Sequence, residues 1–231
     1  MFATGSENLG PHQWRILARR IEELTADSEV DGVVVTHGTD TLEEAAFFLE
    51  LVCKSGKPVV LTAAMRPSTA LSADGPANLF QAVLAATSPQ LQSHGLLVVM
   101  NGLVIPGWQI IKTDSVALDS FHAYPGGPIG KIVGESLLVF GSPNLSPLVG
   151  RFHDHLRNDD ELPIVDIVLL RAGCGDQPLA DFGGNACKGL VVAGFGSGTM
   201  PDNLTGLVAE TASSGCTVVV SSRVSRVTVL A

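Results

Sequence analysis

From Pro11 onward the apolar positions Trp14, Leu17, Ile21 and Leu24 recur at helical spacing, and a proline suits the first turn, so the pattern predicts an amphipathic helix. Gly32-Val33-Val34-Val35 reads as a short β-branched strand. Thr41 with Glu44 then forms a capping-box pattern ahead of Leu42, Ala45, Ala46, Leu49, Val52 and Cys53, which predicts a second helix. The order repeats with Pro58 to Leu61 as a strand, a polar loop from Arg66 to Asp74, and a helix over Pro76 to Ala86 with Leu79, Phe80, Val83 and Leu84 on one face. Leu96 to Met100 supplies a further strand.

Strands that are apolar throughout, separated by single amphipathic helices, fit a parallel sheet covered on both faces with right-handed crossovers, which is a doubly wound α/β domain. Between about residues 101 and 161 the pattern turns irregular: a hairpin around Pro106-Gly107, the turn-rich Tyr124-Pro125-Gly126-Gly127-Pro128, and a polar run from His153 to Glu161. The domain boundary is placed there, giving a first domain over 1–150 and a smaller α/β domain over 162–231. The second is built from strands at Ile164 to Leu170, Leu190 to Ala193 and Thr217 to Val220 and a helix near Leu204 to Ala212.

With 231 residues, 45% of them hydrophobic and 16% charged, the chain can bury a sizeable core. A formal charge of -9 repels phosphate backbones and anionic lipid, so neither nucleic acid nor a membrane surface is an expected partner. The densest basic cluster, Arg15, Arg19 and Arg20, sits beside Glu22 and Glu23 and reads as a solvated helix face. No apolar run approaches the roughly 18 residues of a membrane span, and the opening MFATGSENLGP lacks the basic and apolar regions of a signal peptide, so a soluble, cytoplasmic protein is expected. Cys53, Cys174, Cys187 and Cys216 form no CxxC pair and read as buried thiols. His153-Asp154-His155 has metal-ligand residue types without a third well-placed ligand, and is read as a solvated loop. Gly194-Phe195-Gly196-Ser197-Gly198 lacks the full spacing of a dinucleotide-binding loop. Two sequons, at Asn144 and Asn203, matter only in a secreted protein.

In open α/β sheets ligands bind beyond the carboxyl ends of the strands, where loops and helix N-termini converge. Thr36-His37-Gly38-Thr39-Asp40-Thr41 follows the first strand directly, and Ala64-Met65-Arg66-Pro67-Ser68-Thr69 ends the next, so both loops are expected to face one crevice. A threonine that attacks a carbonyl, or orders an attacking water, needs a base within hydrogen-bond reach. Lys112, in Ile110-Ile111-Lys112-Thr113, is a candidate base, although by residue type alone a surface charge is the commoner role.

GVVVTHGTDTLEEAAFFLE at 32–50 and KPVVLTAAMRPSTALSADGPANLFQAV at 57–83 resemble the core of bacterial-type L-asparaginases, as do LLVVMN at 96–101, GLVVAGFGSGT at 189–199 and SSRV at 221–224. The resemblance implies hydrolysis of the asparagine side-chain amide through an acyl-enzyme, with no metal or cofactor. It further implies that Thr39, Asp40 and Lys112 form the family's Thr-Lys-Asp triad. Ser6 and Glu7 would hold the α-carboxylate and α-amino ends of the substrate beside Gly38, and the backbone carbonyl of Ala64 would receive its side-chain amide. L-asparagine, or else L-glutamine, is the implied small-molecule substrate, and a homo-oligomer the implied assembly.

The family's Thr-Gly-Gly-Thr-Ile motif, which carries the acylated threonine on a first strand, has no counterpart here. The resemblance therefore predicts a first domain without that strand and an incomplete second one. An edge carrying Val33, Val34 and Val35 would be left unpaired and prone to aggregation. The competing expectation is a catalytically dead relative that keeps an amino-acid pocket and serves as a binding or interaction module.

Overall fold

A computed structural model describes residues 1–140, 148–156, 161–174, 187–226 and 229, the side chains of 155, 156 and 187 excepted. The chain divides into two compact units, 1–159 and 160–231.

The first unit runs α1 (Pro11–Ala26), β1 (Val33–Thr36), α2 (Leu42–Val52), β2 (Val59–Thr62), α3 (Gly75–Ala86), β3 (Leu96–Met100), β4 (Leu103–Pro106), β5 (Ile110–Lys112), β6 (Phe121–Ala123), β7 (Gly130–Val133) and β8 (Ser136–Val139). Six strands form one sheet in the order β1-β2-β3-β4-β7-β8, parallel over β1 to β3 and antiparallel beyond. The change of direction has a local cause. Asn101 and Gly102 both adopt positive φ, 50° and 77°, the two-residue turn that matches strand twist, and so fold β4 back onto β3. This corrects the hairpin expected at Pro106-Gly107, where the chain still follows β3: the Gly107 N–H donates to Leu96 O at 2.7 Å. A Cβ on Gly107 would lie 2.5 Å from a Leu96 methyl, which explains the glycine better than a turn does.

Helices cover both faces of the sheet. Trp14, Leu17 and Ile21 of α1 and Leu42, Ala45, Ala46 and Leu49 of α2 pack with Val59, Leu61, Leu96, Val98 and Met100. On the other face Ala82, Ala85 and Ala86 of α3 meet Val60, Leu97, Val99 and Val104. The orientation of α3 differs from that expected. Its alanine stripe and Asn78 face the sheet, while Leu79, Phe80 and Val83 point outward at 44%, 50% and 48% exposure. Both stripes satisfy a helical period, and small side chains let the helix axis sit closer to the strands than leucines would. The capping box at α2 also fails to form: the Thr41 hydroxyl donates instead to the backbone carbonyl of Ser6 at 2.9 Å.

Strand β1 is the outer strand of the sheet. A cavity of about 400 Å³ runs between this edge and α1, lined by Leu9, Trp14, Leu17, Ile21 and residues 33–38. Strands β5 and β6 form a separate two-stranded ladder, anchored to the core by Ile110 and Phe121.

The second unit contains β9 (Ile164–Leu169), β10 (Cys187–Gly194), α4 (Asp202–Ser213) and β11 (Thr217–Ser222), with the strands parallel in the order β11-β10-β9. Its core joins Val168, Leu170, Leu190 and Val192 to Leu204 of α4. After β10, Phe195 and Thr199 bond to each other through both backbone amides at 2.8 Å, so the glycine segment closes on itself before α4 begins and is not an open phosphate loop.

Cys53 and Cys174 are buried thiols, but Cys216 is half-exposed, contrary to expectation; the side chain of Cys187 lies outside the described residues. His153 is not part of the solvated loop expected: it begins a 3-10 turn, His153–Leu156, its side chain is only 15% exposed, its Nε2 lies 2.9 Å from Glu22 Oε1 and its Nδ1 lies 3.3 Å from Asp154. The His155 side chain and the sequon at Asn144 lie outside the described residues. Among the described residues no helix is long and apolar enough to cross a membrane, and no three His, Cys, Asp or Glu side chains converge as a metal set.

Candidate active site

The chain leaves β1 at Thr36 and enters α2 at Leu42, and the five residues between them are held from both sides. The His37 N–H donates to Thr62 O at 2.9 Å, extending the β1–β2 ladder by one bond. Ser6, only 3% exposed, closes the other side: its Oγ accepts the Asp40 N–H at 3.2 Å, and its carbonyl accepts the Thr41 hydroxyl. Gly38 is where this loop meets the Ser6 segment, since a Cβ there would fall 2.6 Å from Ser6 Oγ. The 5–8 segment and the 37–41 loop are therefore one construction, although more than thirty residues separate them.

Lys112, the last residue of β5, reaches this loop across 73 residues of sequence. Its Nζ donates to Thr39 Oγ1 at 3.0 Å and to Asp40 Oδ1 at 2.8 Å. The amine thus lies within hydrogen-bond distance of both the hydroxyl and the carboxylate that the family resemblance groups with it. Lys112 is not the solvated surface charge that its residue type favours: its side chain is 19% exposed, against 64% for Asp40. The hydrogen bond from Lys112, aided by its positive charge, holds the Asp40 carboxyl below the usual aspartate range. Thr39 is half-buried.

The other predicted residues are placed more loosely. Glu7 is exposed; its Oε1 accepts the Asn8 side-chain amide at 3.1 Å, and its carboxylate lies over Gly5. Ala64 is exposed at the end of β2, and no hydrogen bond joins it to Thr39, Asp40 or Lys112 among the described residues. Its loop is braced by Asp74, whose two oxygens accept the N–H groups of Met65 and Arg66 at 2.9 Å each. Asn78 is 3% exposed; it donates to Ala63 O and to Asp74 Oδ2 and accepts the Asn101 N–H, all at 3.0 Å. Asp74 reads from sequence only as the end of the polar loop, and Asn78 is not singled out there.

Glu43, in the first turn of α2, was also missed. Its Oε2 accepts the backbone N–H of Lys112 at 2.5 Å, and its partial burial raises its pKa against the opposing effect of that bond. The large cavity beside β1 touches the site only at His37 and Gly38; Thr39, Asp40, Ala64 and Lys112 do not line it.

The family described as "Asparaginase, N-terminal" matches residues 1–145, and that described as "Glutaminase/Asparaginase C-terminal domain" matches residues 164–231. The chain is 39% identical over 219 residues to L-asparaginase 2 of Bacillus subtilis, which covers 95% of this chain and 58% of that protein. It is 38% identical over 220 residues to L-asparaginase 2 of Escherichia coli, covering 95% and 62%. To the glutaminase-asparaginase of Pseudomonas fluorescens it is 34% identical over 219 residues, covering 95% and 60%. The chain thus spans about three fifths of the length of these curated relatives.

Proposed function

We propose that this chain, which belongs to the asparaginase family, hydrolyses the side-chain amide of L-asparagine at the Thr39–Lys112–Asp40 cluster, giving L-aspartate and ammonia. The observation that carries this reading is the placement of Lys112 Nζ between Thr39 Oγ1 and Asp40 Oδ1, at 3.0 and 2.8 Å.

In its neutral form the amine takes a proton from the attacking oxygen, which is that of Thr39 or of a water bonded to it. That oxygen bonds to the amide carbon, the C–N bond breaks, and the proton leaves with ammonia. Where an ester is formed, a water molecule cleaves it and releases the carboxylate. Asp40 steadies the ammonium form of Lys112 through Oδ1, and its second oxygen is the acceptor offered to the substrate's α-ammonium. Ser6 Oγ already accepts the Asp40 N–H, and its own proton remains to donate to the substrate α-carboxylate. Glu7 and the carbonyl of Ala64 complete the proposed contacts. The protein is read as a homo-oligomer, which the outward-facing Leu79, Phe80 and Val83 of α3 support.

The test is ammonia release from L-asparagine and L-glutamine by the purified protein, with Lys112→Met and Thr39→Ala as comparisons. Loss of kcat on the order of 100-fold or more in Lys112→Met is expected, the scale on which a general base contributes. Saturable aspartate binding with no ammonia release by the parent would replace this reading by that of an amino-acid-binding relative.

A further inference from the structure

The position of Lys112 is not explained by the main sheet. Among the described residues strands β5 and β6 pair only with each other, so no ladder there fixes the height of Lys112 against the Thr39–Asp40 loop. Burial of Ile110 and Phe121 in the core sets β5 down coarsely, because hydrophobic contact is non-directional. A directional tie is needed to place an amine within hydrogen-bond reach of two oxygens at once.

The backbone pattern shows where that tie is. The Tyr124 N–H donates to Gln109 O and the Thr113 N–H to Ser120 O, both at 2.8 Å, so odd-numbered positions of β5 face β6. By the alternation of an antiparallel pair, the Lys112 N–H points away from β6. It would be an orphan donor on a half-buried strand edge, and the Glu43 carboxylate accepts it at 2.5 Å. Glu43 belongs to the helical turn that directly follows Thr39, Asp40 and Thr41. One short stretch of chain, residues 39–43, therefore grips Lys112 three times: twice at Nζ and once at its backbone. The next residue, Glu44, is exposed.

We infer that Glu43 is a positioning residue for the proposed hydrolysis, fixing Lys112 through its backbone N–H so that Nζ meets Thr39 and Asp40 together. This rests on the reading of the site given above. Glu43 does not touch the reacting atoms. What matters is an acceptor oxygen at the right reach, so glutamine should replace it and alanine should not. Aspartate, one methylene shorter, should fall short.

The experiment compares Glu43→Ala, Glu43→Gln and Glu43→Asp in the full protein, reading kcat and KM for L-asparagine and amide hydrogen exchange at Lys112. Glu43→Ala and Glu43→Asp are expected to lower kcat by roughly 10- to 100-fold with KM within about threefold, the cost of a misplaced catalytic group, while Glu43→Gln stays within about threefold of the parent. Lys112 amide exchange should rise at least about tenfold in the first two and not in the third. A kcat for Glu43→Ala within about twofold of the parent would overturn the inference, and so would a fall in Glu43→Gln as deep as in Glu43→Ala. If Glu43→Ala does not fold, the pair of Glu43→Asp and Glu43→Gln decides on the same terms. If the parent releases no ammonia, the functional reading fails separately and exchange alone decides: protection lost in Glu43→Ala and kept in Glu43→Gln supports the positioning role, and unchanged protection in Glu43→Ala sinks it.

Discussion

Ser6 Oγ lies against Gly38 so closely that a Cβ at position 38 would sit 2.6 Å from it and 2.8 Å from Ser6 Cβ. The same hydroxyl caps the loop by accepting the Asp40 N–H, so the contact that requires glycine also orders the aspartate that pairs with Lys112. Gly38→Ala must push the Ser6 segment away or shift the loop. We expect Gly38→Ala to destabilise the protein by about 1–3 kcal/mol, the range for overpacking, and to weaken asparagine turnover more than Ser6→Ala does. Ser6→Ala removes the cap without moving the backbone and should cost about 1 kcal/mol. Urea melts of the two variants, read beside kcat/KM, check the ranking; a Gly38→Ala protein as stable and active as the parent would show that the contact is slack.

Much of this arrangement was legible in the sequence, and the part that was not has a physical explanation. The periodicity of Trp14, Leu17 and Ile21, and of Leu42, Ala45, Ala46 and Leu49, marked residues that are in fact buried. The Thr39-Asp40 loop was assigned to a strand's carboxyl end, where it lies, because topology fixes that placement. Asn101-Gly102 is a strong hairpin signal that was passed over in favour of Pro106-Gly107, and with it the antiparallel half of the sheet. The face of α3 was misjudged because periodicity locates stripes but does not say which of two adjacent ones meets the sheet. Glu43 was invisible for another reason: its partner lies 69 residues away, and no local pattern encodes such a bond. Asn78 has one near partner, Asp74 four residues back, but its bonds to Ala63 and Asn101 span 15 and 23 residues, which no helical period encodes.

Glu50 carries a pH dependence. It is 2% exposed on α2; Oε2 accepts the Leu96 N–H at 2.7 Å, and Oε1 has no partner among the described residues. Burial pushes its pKa up from 4.5 to about 7, with the Leu96 bond opposing. A raised carboxyl pKa means that the folded state holds the proton more tightly than the unfolded state. Stability from this group is therefore complete below about 4.5, falls as pH rises, and is lost above about 7. Glu50→Gln keeps an acceptor for Leu96 and cannot ionise. It is expected to raise stability at pH 8 by on the order of 1–3 kcal/mol and to give no comparable gain near pH 4. Urea midpoints at the two pH values test this, and an equal effect at both would mean that Glu50 is not charged in the folded protein at pH 8.

Asn78 presents the sharpest case, because its two ends are not interchangeable. Its Nδ2 faces two acceptors, Ala63 O and Asp74 Oδ2, while its Oδ1 faces one donor, the Asn101 N–H. Asn78→Ala leaves the buried Ala63 carbonyl and the part-buried Asn101 N–H without their partner and should cost about 1–3 kcal/mol. Asn78→Asp keeps the acceptor for Asn101 but sets a carboxylate oxygen against Ala63 O and the Asp74 carboxylate, so near neutral pH it should cost at least as much as alanine. Protonation of the new carboxyl restores a donor, which means that the gap between Asn78→Asp and the parent should narrow as pH falls, whereas the gap for Asn78→Ala should not. Because Ala63 precedes Ala64, both variants should also lower the proposed asparagine turnover by loosening the loop whose Ala64 carbonyl is proposed to receive the substrate. Denaturation curves at neutral and acid pH distinguish the two costs, and an Asn78→Asp protein that is as stable as the parent at pH 7 would show that Nδ2 is not the donor that closes this loop.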